Sequence, residues 1–158
     1  MSSKLTEKLK SVAAVVATIE KQFGRGAICQ LGGEAFAGKI AVIPTGSAAL
    51  DKALGVGGWA HGRVIEIFGP PSGGKTTLAL HAIAQVQAQG GIAAFIDSTH
   101  SLDVSYARKI GVRIEELLIS QPDSLEQAAE IALHLVRSGA VDLIVFDLGK
   151  DVRTQAEI

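Results

Sequence analysis

A glycine-rich segment carries the strongest chemical signal in the sequence: Phe68-Gly69-Pro70-Pro71-Ser72-Gly73-Gly74-Lys75-Thr76-Thr77. It satisfies the pattern G-x-x-x-x-G-K-[ST] at every fixed position. Glycines allow a tight turn whose N–H groups face an oxyanion, and the positive end of the following helix dipole points at the same place. The segment is therefore predicted to be a phosphate-binding loop.

Three side chains at the end of this loop have predicted roles at a nucleotide. Lys75 would contact the β- and γ-phosphates, Thr76 has the hydroxyl that such a loop places on Mg²⁺, and Thr77 is placed to hydrogen-bond a phosphate nearer the sugar. The predicted nucleotide-binding residues of the loop are Gly69, Pro70, Pro71, Ser72, Gly73, Gly74, Lys75, Thr76 and Thr77. A glycine-rich turn with an incidental lysine is disfavoured, because the sequence also predicts the strand and helix that flank such a loop.

Apolar and helical segments alternate along the chain on both sides of the loop. The β-branched run from Arg63 to Phe68 predicts a strand before it, and the stretch from Thr76 to Gln89 predicts a helix after it. Further strands are predicted at 92–97, 117–120 and 141–147, with helices at 104–110 and 124–137. This alternation predicts an α/β fold with a parallel sheet, helices on both faces and ligands at the carboxyl ends of the strands.

Length and composition fit one small α/β domain with an N-terminal appendage. The net charge of −1 over 158 residues argues against a broadly basic nucleic-acid surface. Cys29 is the single cysteine, which excludes a disulfide framework and a Cys-based metal site and fits a reducing cytoplasm. No apolar stretch is long enough to cross a bilayer, so no membrane partner is expected.

Apolar residues near the N-terminus recur at helical spacing, at Leu5, Leu9, Val12, Val16, Ile19 and Phe23. They predict a helix with one narrow apolar stripe that ends at Gly24. The stripe packs either on its own domain or on a neighbouring subunit, and the pattern leaves both open. Residues 1–36 are predicted to form this helix and its connection, and residues 37–158 the core that carries the phosphate-binding loop.

Seven short segments outside the loop are not explained by a phosphate-binding loop alone. They are Ile19-Glu20-Lys21-Gln22-Phe23-Gly24, Thr45-Gly46-Ser47, Phe95-Ile96-Asp97, Tyr106-Ala107-Arg108-Lys109, Ser120-Gln121-Pro122-Asp123, Arg137-Ser138-Gly139-Ala140-Val141-Asp142 and Ala156-Glu157-Ile158. Together with the loop they resemble the bacterial RecA recombinase family from about Ile19 to Ile158. The resemblance implies a RecA-like P-loop NTPase core and an N-terminal oligomerisation helix that packs on the next subunit of a helical filament.

The resemblance also implies further site residues. Asp103 and Tyr106 match the residues that recognise adenine, and Asp147 matches the acidic residue that supports the metal. A tyrosine ring stacks on a purine, an aspartate accepts a hydrogen bond from an exocyclic amine, and a carboxylate at a strand end orients Mg²⁺ through water. The resemblance thus implies a protein that acts in DNA recombination and repair, binds ATP and Mg²⁺, and assembles in filaments on single-stranded DNA.

Two positions depart from the family. Thr99 stands where the family has the glutamate that polarises the attacking water, and Leu148 follows Asp147 where the family has a serine. A hydroxyl is not basic near neutral pH, and loss of a general base removes about two to four orders of magnitude in rate. Asp97 lies two residues back, roughly 6 to 7 Å along a strand, and is not expected to replace that base. We therefore expect ATP binding with slow or absent hydrolysis, and assign no catalytic residue.

The resemblance further implies a core that is incomplete on its C-terminal side. In the family, Ala156-Glu157-Ile158 leads into the first of two DNA-binding loops, and both loops, further strands and a C-terminal domain are absent from this chain. Unpaired strand edges and uncovered apolar surface then predict marginal stability or self-association.

Two functions fit these expectations. One is a recombinase subunit acting in ATP-dependent filaments on single-stranded DNA. The other is a non-hydrolysing, ATP-binding regulatory or filament-capping partner that contacts a full-length RecA-type subunit through its N-terminal helix. A small phosphotransferase would need a catalytic carboxylate or an arginine-rich lid, and the sequence offers neither.

Overall fold

The computed structural model describes residues 3–28, 40–149 and 154. In chain order its elements are α1 (Ser3–Phe23), β1 (Val42–Ile43), α2 (Ala48–Leu54), β2 (Trp59–Ala60), α3 (Lys75–Ala88), β3 (Ala93–Asp97), α4 (Val104–Ile110), a short 3₁₀ helix (Ile114–Glu116), β4 (Leu118–Ser120), α5 (Leu125–Ser138) and β5 (Leu143–Asp147). The chain divides into two units, Met1–Ile40 and Ala41–Ile158. The predicted boundary after residue 36 lies outside the described residues and stays a prediction.

The first unit contains the predicted N-terminal helix. Gly24 adopts a φ of 96° and its N–H donates to the Glu20 carbonyl at 2.9 Å, so the helix ends where the sequence predicts. The side chains of Leu5, Leu9 and Phe23 on the apolar stripe are exposed. Among the described residues, no helix is long and apolar enough to cross a membrane.

The second unit is built on a three-stranded parallel sheet in the order β4-β3-β5. Every residue of the central strand β3 is buried. Because side chains alternate across a strand, Phe95 packs on one face with Leu80 and Ile83 of α3, and Ile96 packs on the other with Ala128 of α5. Helices cover both faces, as the sequence predicts.

Side-chain and glycine caps set the ends of the helices on this sheet. The Ser124 hydroxyl accepts from the Gln127 N–H at 3.3 Å, and the Gln127 side chain accepts from the Asp123 N–H at 2.8 Å. This arrangement is close to the predicted capping box, with the glutamine bond moved one residue outward. At the other end of α5, Gly139 takes the left-handed conformation with a φ of 64°.

The strand predicted from Arg63 to Phe68 is wrong. These residues form no strand and all are exposed, Val64 completely and Phe68 to 85%. An apolar β-branched run favours a strand, but a strand also needs a neighbouring backbone to complete its hydrogen bonds. The segment has no such neighbour among the described residues: the sheet consists of β4, β3 and β5, and neither edge strand pairs with it. Consequently Gly69 does not follow a strand end.

A small antiparallel pair precedes this segment and was not predicted. Strands β1 and β2 pair Val42 with Ala60 and Ile43 with Trp59, and the helix α2 connects them. Ile43 is buried and Trp59 packs against the same core from its edge. The pair therefore fixes the chain on the core shortly before the glycine-rich loop begins.

Candidate nucleotide-binding site

The glycine-rich loop leads directly into α3, which begins at Lys75. Gly74 has a φ of 83°, and no side chain caps the first turn of the helix. Within the loop, the Gly73 N–H donates to the Pro70 carbonyl at 3.2 Å, and Ser72 holds a φ of 58° that is uncommon for a residue with a side chain. The first turn of α3 thus presents backbone N–H groups and the positive end of its dipole beside the loop.

The Lys75 ammonium lies over this loop. Its Nζ donates to the Gly69 carbonyl at 3.2 Å and to the Pro70 carbonyl at 2.8 Å. A lysine held by these two carbonyl oxygens is a positive charge placed beside the first residues of the loop. The geometry is suited to attracting an anion, which would exchange with one or both carbonyls as partner of the ammonium.

The predicted metal residues lie together although 71 positions separate them in the sequence. The Thr76 hydroxyl, in the first turn of α3, donates to Asp147 Oδ2 at 2.8 Å, and Asp147 is the last residue of β5. Mg²⁺ in nucleotide sites is held by one or two protein ligands, with phosphate oxygens and water completing the shell. The described residues contain no group of three or more His, Cys, Asp and Glu that could hold a metal alone. The Thr76–Asp147 pair therefore fits Mg²⁺ that arrives with a nucleotide.

The predicted adenine residues lie at the start of α4. Asp103 caps this helix, its Oδ1 accepting from the Tyr106 N–H at 2.9 Å. The Tyr106 hydroxyl lies 3.2 Å from the Thr77 hydroxyl, so the tyrosine reaches the first turn of α3. The structure thus places Tyr106 next to the first turn of α3, while Asp103, one turn earlier, serves as the cap of α4.

Thr99 is hydrogen-bonded to the carboxylate of Asp97, two residues earlier. The strand β3 ends at Asp97, and the chain then turns so that the N–H and hydroxyl of Thr99 donate to Asp97 Oδ1 at 3.1 and 2.7 Å. The Thr99 hydroxyl also contacts the Ser101 hydroxyl. A threonine in this position has no basic atom, and its hydroxyl is already paired.

Asp97 is fully buried and organises this turn. Its other oxygen accepts from the Leu102 N–H at 3.2 Å and from the Gln121 side chain at 3.4 Å. Burial raises the pKa of Asp97, but the hydrogen bonds from Thr99, Leu102, Ser101 and Gln121 outweigh burial and hold that pKa below its ordinary value. Asp97 is therefore an ionised carboxylate whose acceptor capacity is used by its own turn, which leaves it unsuited to activating water.

Ser98 joins the ends of two strands and was missed by sequence reasoning. Its N–H and its hydroxyl each donate to the Asp147 carbonyl at 3.2 Å, and the Gly149 N–H donates to its hydroxyl at 3.4 Å. These bonds hold the backbone at the end of β5, where Asp147 meets Thr76. The available signal was a hydroxyl residue directly after a buried strand, a position from which such side chains often bond nearby backbone.

Known proteins similar to this chain agree on one family. A family model described as the RecA N-terminal domain matches residues 10–158. The chain is 69% identical over 156 residues to Protein RecA 1 of Myxococcus xanthus, covering 99% of this chain and 46% of that protein. It is 59% identical over 152 residues to Protein RecA of Treponema denticola, covering 96% of this chain and 37% of that protein. The chain thus spans less than half the length of these relatives, and because the family model matches nearly all of it, it belongs to the RecA family.

Proposed function

We propose that this chain is a MgATP-binding protein of DNA recombination and repair whose ATP hydrolysis is impaired. The observation that carries the proposal is the 2.8 Å contact between Thr76 and Asp147 beside the glycine-rich loop. Bound there, Mg²⁺ would neutralise charge on the β- and γ-phosphates. Family membership adds the setting of recombination and repair.

The contacts of Lys75 and Tyr106 support a nucleotide rather than inorganic phosphate as the ligand. Lys75 provides the cation in the loop, and Tyr106 offers a partly exposed ring beside the first turn of α3. A single nucleotide could therefore stack its purine on this ring and place its phosphate chain in the loop. Asp103, at the start of the same helix, provides an acceptor for the exocyclic amine of adenine.

The paired state of Thr99 and Asp97 supports impaired hydrolysis. Neither is available as a general base, because the threonine is not basic and the carboxylate is committed to five hydrogen bonds from its own turn and from Gln121. The ATP-bound state would consequently persist after binding.

We consider two modes of assembly, both compatible with membership of the RecA family. As a filament subunit, residues 1–36 would pack on the next copy and residues 37–158 would hold ATP, with single-stranded DNA as the partner of the filament. As a regulatory partner, the chain would cap or modulate a filament of full-length RecA-type subunits. The exposed stripe of α1 fits both modes, whereas the lack of an available base at Thr99 and Asp97 favours the second.

Replacement of Lys75 by alanine tests the nucleotide site. We expect Lys75→Ala to weaken MgATP binding by at least about tenfold, because a hydrogen bond to a charged group contributes roughly 1.5 to 3 kcal/mol. Isothermal titration calorimetry with MgATP measures the affinity. Lys52→Ala, which removes an exposed lysine from α2, is the matched control and should leave the affinity unchanged. Equal affinities in the unaltered protein and Lys75→Ala would place the nucleotide elsewhere.

A further inference from the structure

The Tyr106 side chain contacts another helix through its hydroxyl although the residue is 42% exposed. Its backbone N–H donates to Asp103 at 2.9 Å, and its phenol oxygen lies 3.2 Å from the Thr77 hydroxyl. An exposed tyrosine can satisfy its hydroxyl with water, so a partner 29 residues away on another helix is not needed for solvation. The contact instead fixes where the ring stands.

The two helices that carry this contact are packed closely along their length. Ala107, next to Tyr106, is buried in the core cluster that includes Leu80 and Ile83 of α3. At the far end of α4, a Cβ added to Gly111 would lie 4.0 Å from the Ala84 side chain of α3. The backbone positions of Thr77 and Tyr106 are therefore set by the core. The contact between the two hydroxyls then restricts the rotation of the tyrosine side chain.

We infer that Thr77 is a positioning residue for nucleobase recognition, acting through its hydroxyl contact with Tyr106. The contact fixes the ring as a stacking platform at a set distance from the phosphate-binding loop, because Thr77 lies two residues after Lys75. A platform fixed in this way favours ligands that carry a purine and a phosphate chain in one molecule. This inference rests on the proposed nucleotide site and assigns the loop's last threonine a role toward the base.

The sequence predicts a different role for Thr77, a hydrogen bond to a phosphate oxygen. The two roles respond differently to the ligand. A phosphate contact contributes equally to ATP and to inorganic tripolyphosphate, whereas a contact that orients Tyr106 contributes only when a base is present.

The test measures MgATP and magnesium tripolyphosphate affinities by calorimetry for Thr77→Val, Thr77→Ser, Tyr106→Phe and the double variant Thr77→Val/Tyr106→Phe. We expect Thr77→Val and Tyr106→Phe each to weaken ATP binding about three- to tenfold, the range for loss of one neutral hydrogen bond. Tripolyphosphate affinity should not change. Thr77→Ser, which keeps the hydroxyl, should restore ATP binding, and the double variant should be no weaker than either single variant.

Two results would overturn the inference while leaving the nucleotide site intact. One is an equal loss of ATP and tripolyphosphate affinity in Thr77→Val, which would mark a phosphate contact. The other is unchanged ATP affinity in Tyr106→Phe, a variant that keeps the ring and removes only the phenol oxygen. Failure of the unaltered protein to bind MgATP would instead overturn the proposed function, and this inference with it. Thermal unfolding of each variant identifies any affinity change that comes from loss of fold.

Discussion

The proposed separation of nucleotide binding from nucleotide turnover rests on one side chain, that of Thr99. Its hydroxyl and N–H are paired with Asp97, so the residue closes the turn after β3 and supplies no base. The prediction that Thr99 supplies no base rests on the residue type alone. The sequence could not show that the acceptor sites of the Asp97 carboxylate are also used. The hydrogen bonds from Leu102 and Gln121 depend on how the chain turns and on which strand lies beside β3.

Restoring a carboxylate at this position should raise the rate of hydrolysis. We expect Thr99→Glu to increase MgATP turnover by about two orders of magnitude or more if the missing base limits the rate. Phosphate release from MgATP by the purified protein measures the turnover, with Lys75→Ala as the background.

Thr99→Gln is the matched control for that variant. Glutamine has the size of glutamate and also breaks the Thr99 hydroxyl bonds to Asp97 and Ser101, but it is not basic. Turnover should therefore rise in Thr99→Glu alone. An equal rise in both variants would show that release of the turn, rather than a base, had limited the rate, and no rise in either would refute the role assigned to this position.

Among the elements, local signals decided what the sequence could predict. Helix α4 lies at the predicted residues because Asp103 and Gly111 mark its ends. Strands β3 and β5 lie within their predicted ranges because both are apolar runs, fully buried in β3 and mostly half-buried in β5. The segment from Arg63 to Phe68 has the same kind of composition, yet it forms no strand. Strand formation depends on a distant backbone neighbour, and residue composition does not report it.

The β1–β2 pair offers a test of packing at the level of an element. A Cβ added to Gly58 would lie 2.8 Å from the carbonyl carbon of Ile43 and would also overlap the carbonyl oxygen, both of which are backbone atoms that cannot rotate away. Gly57 has a φ of 89° and open space around a Cβ. Gly57→Ala should therefore cost only the conformational penalty of a left-handed residue, about 1 to 2 kcal/mol.

We expect Gly58→Ala to reduce the free energy of unfolding by roughly 1 to 3 kcal/mol more than Gly57→Ala does, the usual cost of overpacking. Urea unfolding followed by tryptophan fluorescence measures both, and Trp59 is the single tryptophan in the chain and lies in β2. Equal losses in the two variants would mean that the β1–β2 pair shifts freely and does not hold the chain on the core.

Over the whole molecule, apolar surface is exposed in both units. In the first unit the stripe of α1 exposes Leu9 and Phe23, and in the second the segment before the loop exposes Val64 and Phe68. Patches of this kind mark interaction surfaces or sites of aggregation. The regular spacing on α1 matches what a second helix or a groove could bind, whereas the Arg63–Phe68 segment has no helix or strand to present its side chains in a periodic pattern.

We therefore expect the isolated protein to self-associate through α1. Sedimentation velocity over a wide concentration range should show an average mass that rises with concentration in the unaltered protein. Leu9→Ser with Phe23→Ser should return it to the monomer, because the two serines interrupt the apolar stripe. Val64→Ser with Phe68→Ser removes at least as much exposed apolar surface from the other unit and is the control. It should leave the concentration dependence in place, because association through a regular helix stripe does not need these residues.

Thermal unfolding separates this expectation from its opposite. Association that stabilises the folded state makes the unfolding temperature rise with protein concentration. The Leu9→Ser/Phe23→Ser variant should lose that dependence, whereas the Val64→Ser/Phe68→Ser variant should keep it. A sharp, reversible transition at high temperature that is independent of concentration in the unaltered protein would contradict both the self-association and the marginal stability predicted from the exposed surface. Loss of the dependence only in the Val64→Ser/Phe68→Ser variant would assign the association to the uncovered segment before the loop and leave α1 without a partner in the isolated protein.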